Sequence, residues 1–257
     1  KENFFTRGEG AHGAELADDL QRFVTLYGAE NIAACFIEPI AGSTGCLVPP
    51  KGYLQRVREI CDQHGILLVF DEVICGFGRT GKAFGAQSFG VTPDIMTMAK
   101  GLTNGAQPMG AVAVSERIHD TIVAAAQEGA IEFFHGYTYS GHPASCAAGL
   151  ATLDVYRKEG LFERGAELSP YFLDGIWSLR DVAAIADLRG YGMFAAIDLH
   201  PKGAPGARGH ALQKKLFDNG LHLKTTGDSA MIAPPLIAER SHIDIIVECL
   251  RKTLAAV

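Results

Sequence analysis

Two apolar runs in this sequence end abruptly on groups that can do chemistry. Ile66-Leu67-Leu68-Val69-Phe70 runs into the carboxylates Asp71 and Glu72, and Ile95-Met96-Thr97-Met98-Ala99 runs into Lys100-Gly101. Short apolar runs bounded by turn signals read as strands of a parallel sheet, buried on both faces. Ligands of such sheets bind beyond the carboxyl ends of the strands, so an acid and an amine just past two such ends can face one ligand. An amine at the mouth of a buried sheet loses charge readily through desolvation and can then condense with an aldehyde. A buried carboxylate can keep a pyridine nitrogen protonated, which makes pyridoxal 5′-phosphate a ligand that suits both groups. From spacing alone a plainer alternative stays open, in which Lys100 snorkels at a strand end and Asp71 caps a helix.

Other constellations offer less. The nine histidines include His135 and His142 on one loop but no HExxH or comparable set, which argues against a metal site. Gly76-Phe77-Gly78-Arg79-Thr80-Gly81 has GxGxxG spacing, yet no apolar strand feeds straight into it and no amphipathic helix follows. It therefore reads as a flexible loop rather than a dinucleotide fingerprint. Asp71 and Glu72, adjacent on an extended strand, point to opposite sides and cannot work as an acid–base pair. Ser140 lacks a GxSxG elbow. Six cysteines (Cys35, Cys46, Cys61, Cys75, Cys146, Cys249) show no CxxC and no metal-ligand spacing. They read as reduced, mostly buried thiols of a cytoplasmic protein.

The elements that must position Asp71 and Lys100 follow from periodicity. Apolar spacing predicts helices over 15–27 and 53–64, the second closed by Gly65, around a strand over 32–37 that ends on Glu38-Pro39. With the strand over 66–70 this alternation gives a parallel sheet, extended by strands over 95–99 and 111–114. A helix opens at Ser115-Glu116, and a small-residue helix covers 144–156. Beyond about residue 160 the texture changes. A helix over 168–179 precedes strands over 182–188 and 193–199 joined near Gly190 and Gly192, then a helix over 211–219. A strand pair near 221–223 and 231–232 and a helix over 243–254 complete the chain.

At 257 residues, 47% hydrophobic and 20% charged, the chain has room for one large domain or a domain and a half. A net charge of -6 without a basic cluster argues against a nucleic-acid partner. No apolar run is long enough to span a bilayer, and no signal-peptide pattern opens the chain. It begins at Lys1 with a polar, Gly-rich loop to Gly13, from which a substantial missing amino-terminal part is expected.

Several motifs in register carry a family resemblance. Leu68-Val69-Phe70-Asp71-Glu72-Val73, Gly76-Phe77-Gly78-Arg79-Thr80-Gly81 and Asp94-Ile95-Met96-Thr97-Met98-Ala99-Lys100-Gly101 closely resemble class III aminotransferases, which are fold-type-I pyridoxal-phosphate enzymes. Phe36-Ile37-Glu38-Pro39-Ile40 and His135-Gly136-Tyr137-Thr138-Tyr139-Ser140-Gly141-His142-Pro143 match further motifs in the same order, so the whole chain is similar to the catalytic and carboxyl-terminal portion of that family. The resemblance implies an α/β fold with a mostly parallel central sheet sandwiched by helices. Residues 1–160 would be the catalytic part of the cofactor-binding large domain and 161–257 a smaller α+β domain. It also implies roles. Lys100 would be the Schiff-base lysine and the acid/base that moves a proton, Asp71 the partner of the pyridinium nitrogen, and Val73 the packing against the ring face. Thr138 would hydrogen-bond the phosphate of the neighbouring subunit, which implies a homodimer. Glu38 would belong to the polar network around the site or serve the fold alone.

Two departures narrow the branch. Ser43 stands where the 4-aminobutyrate and ornithine branches usually carry a glutamate, and Ile74 where they often carry a glutamine. Both features, with Pro108-Met109-Gly110 and Pro50-Lys51-Gly52-Tyr53, look more like the ω-amino acid:pyruvate branch. That branch commonly holds the substrate carboxylate with a mobile arginine, and the matching position here is Lys224, a point charge without the bidentate fork. Lys224 is thus either a carboxylate ligand or a solvated strand-end lysine. The implied activity is ping-pong transfer of an amino group from an amine or ω-amino acid to a keto acid such as pyruvate. The alternatives are a pyridoxal-phosphate aminomutase, a decarboxylating relative on the same fold, or a non-catalytic fragment. The last arises because the family's phosphate-cradling turn and ring-stacking aromatic residue are found nowhere in 1–30.

Overall fold

The computed structural model describes residues 2–133, 135 and 138–256. Its first half alternates helix and strand. A 3-10 turn (Ala14–Ala17) leads into α1 (Asp18–Tyr27), followed by β1 (Ala34–Ile37), α2 (Tyr53–His64) and β2 (Leu67–Asp71). Helix α2 has the predicted limits. Leu54, Val57, Ile60 and Cys61 recur at helical spacing and are buried, and Gly65 closes the helix at φ 67°, the left-handed geometry a residue without Cβ adopts freely. Next come α3 (Gly85–Phe89), β3 (Ile95–Met98), a 3-10 turn (Lys100–Leu102), β4 (Ala111–Val114) and α4 (Glu116–Ala124).

These strands form one sheet in the order β1-β2-β3-β4, with β1, β2 and β3 parallel and β4 antiparallel at the edge. Leu68 and Phe70 lie on one face, in a core with Val24 of α1 and Leu54, Val57 and Cys61 of α2. On the other face Val69 is buried, but Phe36, Val112 and Val114 are 71%, 64% and 44% exposed. Burial of the strands on both faces therefore holds at the centre of the sheet and fails at its edges, because α1 and α2 cover one side.

Asp94 fastens the start of β3. Its carboxylate accepts the Leu68 N–H at 2.9 Å, Arg58 of α2 at 2.8 Å and Arg117 of α4 at 3.1 Å. Burial raises its pKa, but the Leu68 N–H and the two guanidinium groups outweigh that and hold the carboxyl below its usual range. A carboxyl lowered on folding adds stability above its unfolded value and loses it as pH falls through the folded value. Asp94→Asn is thus expected to cost about 1–3 kcal/mol in urea unfolding at neutral pH. That deficit should shrink as the pH is taken below about 4.

The second half begins with α5 (Pro143–Lys158) and α6 (Leu161–Trp177). Helix α6 starts a full two turns earlier than predicted, at a left-handed Gly160 followed by the buried Leu161. Strands β5 (Ile185–Tyr191) and β6 (Phe194–Leu199), helix α7 (Ala207–Asp218), strands β7 (Lys224–Thr226) and β8 (Ser229–Ile232) and helix α8 (Arg240–Leu254) follow. The strand predicted near 221–223 is displaced to Lys224–Thr226. The Leu221 N–H still bonds to Leu216 O, so that stretch completes the exit from α7 instead of pairing.

This second sheet is antiparallel throughout, in the order β5-β6-β8-β7. Leu188, Ala195, Ile197 and Ala230 pack with residues of α6, α7 and α8. Phe194, Ala196 and Met231 join the core of the first half. The sheet is thereby wedged between its own helices and the first sheet's core. Among the described residues no helix is long and apolar enough to cross a membrane.

Candidate active site

Neighbouring strands β2 and β3 run parallel, so their carboxyl ends lie side by side. Asp71 is the last residue of β2, half-buried and in register with Thr97 near the end of β3. Lys100 opens the 3-10 turn just beyond β3 with φ 44°, a left-handed backbone that residues with a side chain seldom adopt. The turn is held by Leu102 N–H to Ala99 O at 3.0 Å and by the Tyr156 hydroxyl donating to Gly101 O at 2.7 Å. Strain of this kind persists where the surroundings over-determine it, and it clusters at functional sites.

After β2 the chain turns because Asp71 Oδ1 accepts the Val73 N–H at 3.0 Å. Glu72, between them, points the other way as expected. It is fully buried and accepts Gly85 N–H at 2.8 Å and Ala86 N–H at 2.6 Å, at the start of α3. Burial raises the Glu72 pKa, and the two N–H donors oppose the rise. Val73 and Lys100 share a cavity of about 490 Å³ with Ile74, Phe77, Arg79 and Tyr156, closed on the far side by Ala233, Pro235, Leu236 and Ile237 of the second half.

The other predicted residues lie outside that cavity. Glu38 accepts the Gly42 N–H at 2.8 Å and lines a separate hollow of about 550 Å³ beside β1 and α2. The loop it steadies is also held by Arg189, which donates to Gly45 O at 3.0 and 3.1 Å, and by the Thr226 hydroxyl on Ser43 O at 2.8 Å. Lys224 opens β7, exposed and away from the walls of the Lys100 cavity. Thr138 stands in an exposed turn, while Gly136 and Tyr137 of the same motif fall outside the described residues. Lys100 itself is exposed, so this chain alone does not supply the desolvation expected for it. Even so, the donor set suits the ring end of pyridoxal phosphate: an amine for its aldehyde, an apolar side chain in the same cavity, and a half-buried carboxylate for its ring nitrogen at the end of the adjacent strand, though Asp71 itself is no part of the cavity wall. Among the described residues no group of three or more His, Cys, Asp or Glu is placed to hold a metal ion.

The family model described as aminotransferase class-III matches residues 6–254. The chain belongs to the class III aminotransferases. It is 54% identical to an omega-aminotransferase of Caulobacter vibrioides, over 99% of this chain and 58% of the relative. It is 47% identical to a beta-alanine–pyruvate aminotransferase of Pseudomonas aeruginosa, over 97% of this chain and 56% of that one. Among solved structures, a thermostable omega transaminase six-fold mutant from Pseudomonas jessenii superposes with a TM-score of 0.90 at 34% identity, covering 94% of this chain and 55% of that one. The chain thus spans a little over half the length of the curated relatives it matches.

In this class III chain three residues matter to which the sequence alone assigned no role. Glu72 organises the start of α3. Arg189, flanked by Asp187 at 2.6 Å and Asp198 at 2.7 Å, joins the second sheet to the loop after Glu38. Arg79 pins the glycine loop expected to be flexible, donating to Met193 O at 2.9 Å and Pro234 O at 2.6 Å. The signal available for Arg79 was a lone cation among glycines, with nothing nearby in sequence to name its partners.

Proposed function

We propose that this chain is the lysine-bearing part of an aminotransferase that moves an amino group from an amine or ω-amino acid to a keto acid such as pyruvate, with pyridoxal 5′-phosphate as cofactor. One observation carries this: Asp71 ends one strand and Lys100 lies just past the end of its parallel neighbour, with Val73 lining the same cavity as Lys100. The likeness to relatives named for ω-amino acid and β-alanine donors with pyruvate supports the substrate class. When bound, the cofactor supplies an electron sink for the pair released at the substrate carbon.

The chain's own side chains do the rest. With the cofactor bound, Lys100 Nζ would hold its aldehyde until the substrate amine displaces it, and the freed amine would then carry the proton from the substrate carbon to the cofactor carbon. Asp71 would keep a proton on the bound cofactor's ring nitrogen, and Val73, tied to Asp71 through its N–H, would pack against the ring. Glu38 steadies the loop through Gly42. The Thr226 hydroxyl holds the strand of Lys224 beside Ser43, so a substrate carboxylate arriving there meets a point charge rather than a fork.

A homodimer is part of the proposal, with Thr138 serving the phosphate in a second copy. In support, Thr138 is exposed and is no part of the cavity wall around Lys100 of its own chain. Division into a large-domain part, 1–160, and a small domain, 161–257, is supported by a core cluster drawn wholly from Leu161 to Leu254. Six cysteines without a disulfide support a reducing, cytoplasmic setting.

The full-length protein, supplied with cofactor, an ω-amino acid and pyruvate, is expected to form alanine in step with the deaminated donor. A holoenzyme that consumes donors without making alanine would overturn the proposal. Release of carbon dioxide or an isomerised amino acid would then identify the decarboxylase or the aminomutase.

A further inference from the structure

Arg79 is a half-buried cation whose partners are carbonyls. Its Nη1 donates to Met193 O at 2.9 Å and Pro234 O at 2.6 Å, and its own carbonyl accepts the Met193 N–H at 2.9 Å. Among the described residues no carboxylate neutralises it, and burial lowers its pKa from the ordinary value, though a guanidinium stays protonated. Charge-assisted bonds out of water are strong and directional, so this contact fixes position.

What it fixes is defined by chain order. Pro234 stands between Ala233 and Pro235, and those two, with Leu236 and Ile237, form the far wall of the Lys100 cavity. Arg164 holds the outer end of the same segment, donating to Ile237 O at 2.8 Å and Ala238 O at 3.1 Å. The seam on the Arg79 side is backbone against backbone. Gly192 sits there at φ 61°, and a Cβ on it would fall 2.6 Å from Arg79 O and 2.7 Å from Thr80 Cα.

We propose that Arg79 is the positioning residue that fixes the 233–237 wall of the Lys100 cavity and thereby sets how large an amine donor the cavity admits. The choice of substrate rests on the aminotransferase function proposed above, whereas the clamp itself does not.

The test uses the full-length holoenzyme with Arg79→Lys, which keeps one donor, Arg79→Gln, and Gly192→Ala, which spreads the seam from its other side. Amide exchange is read at Met193 and at Leu236 to Ala238, since Pro234 and Pro235 have no N–H. Exchange there is expected to quicken by about tenfold or more in Arg79→Gln and Gly192→Ala, with Arg79→Lys intermediate and the α2–β2 core unchanged. The kcat/KM ratio of a bulky arylalkyl amine to a small aliphatic amine should shift by about tenfold in the same order. Unchanged local exchange, or faster exchange everywhere with an unchanged ratio, would overturn the proposal. Local quickening in a protein whose wild type transaminates nothing would uphold the clamp and sink the aminotransferase function.

Discussion

Lys100→Ala in the full-length protein is expected to lower transamination turnover by roughly 10⁴-fold, measured as alanine formed from pyruvate. The replacement removes the one amine at the end of β3 that shares a cavity with Val73, so both the covalent hold on an aldehyde and the proton carrier are lost together. The backbone at φ 44° is held by Leu102 and Tyr156, and neither contact uses the Lys100 side chain. The variant should therefore unfold at nearly the wild-type urea concentration, which separates lost chemistry from lost fold. Lys100→Arg should be equally inactive although it keeps the charge, because a guanidinium stays protonated and is no nucleophile. A Lys100→Ala enzyme with full turnover would rule out the proposed chemistry.

The second large effect is on stability. Glu72→Ala leaves the buried N–H groups of Gly85 and Ala86 without an acceptor, which should cost roughly 2–6 kcal/mol in urea unfolding. Glu72→Gln keeps a carbonyl oxygen and should cost less. Its pH dependence runs opposite to that of Asp94. A carboxyl raised on folding adds stability that is complete below its unfolded value and is lost as pH rises through the folded value. The amide copies the protonated acid, so the Glu72→Gln deficit should narrow as the pH rises through and beyond the carboxylate range. A deficit that widens with pH would show that the two N–H donors outweigh burial at this site.

How much of this was legible in the sequence depended on whether the decisive partners were local. The limits of α2 follow from spacing within the helix and a glycine after it. Asp71 and Lys100 were visible because a charged residue ending an apolar run needs only its neighbours to be noticed. The early start of α6 was hidden by Glu163-Arg164, which break the apolar stripe although Leu161 is already buried. The shift of β7 arose from bonds back to α7.

Arg79 could not be read at all, since its acceptors lie 114 and 155 residues away along the chain. Lys224 was found by likeness of position, and position in the sequence did not bring it to the cavity wall. The edges of the first sheet were misjudged for the same reason: an apolar residue such as Phe36 says that a face suits burial, not that this chain covers it.

The most direct test of the account is borohydride treatment of the full-length protein with pyridoxal phosphate, followed by peptide mapping. Reduction fixes the cofactor to the lysine that holds it. The account predicts one stoichiometric pyridoxyl label, on Lys100, and a label weakened by Asp71→Ala. A label on another lysine, or none in a protein that turns amines over, would contradict it.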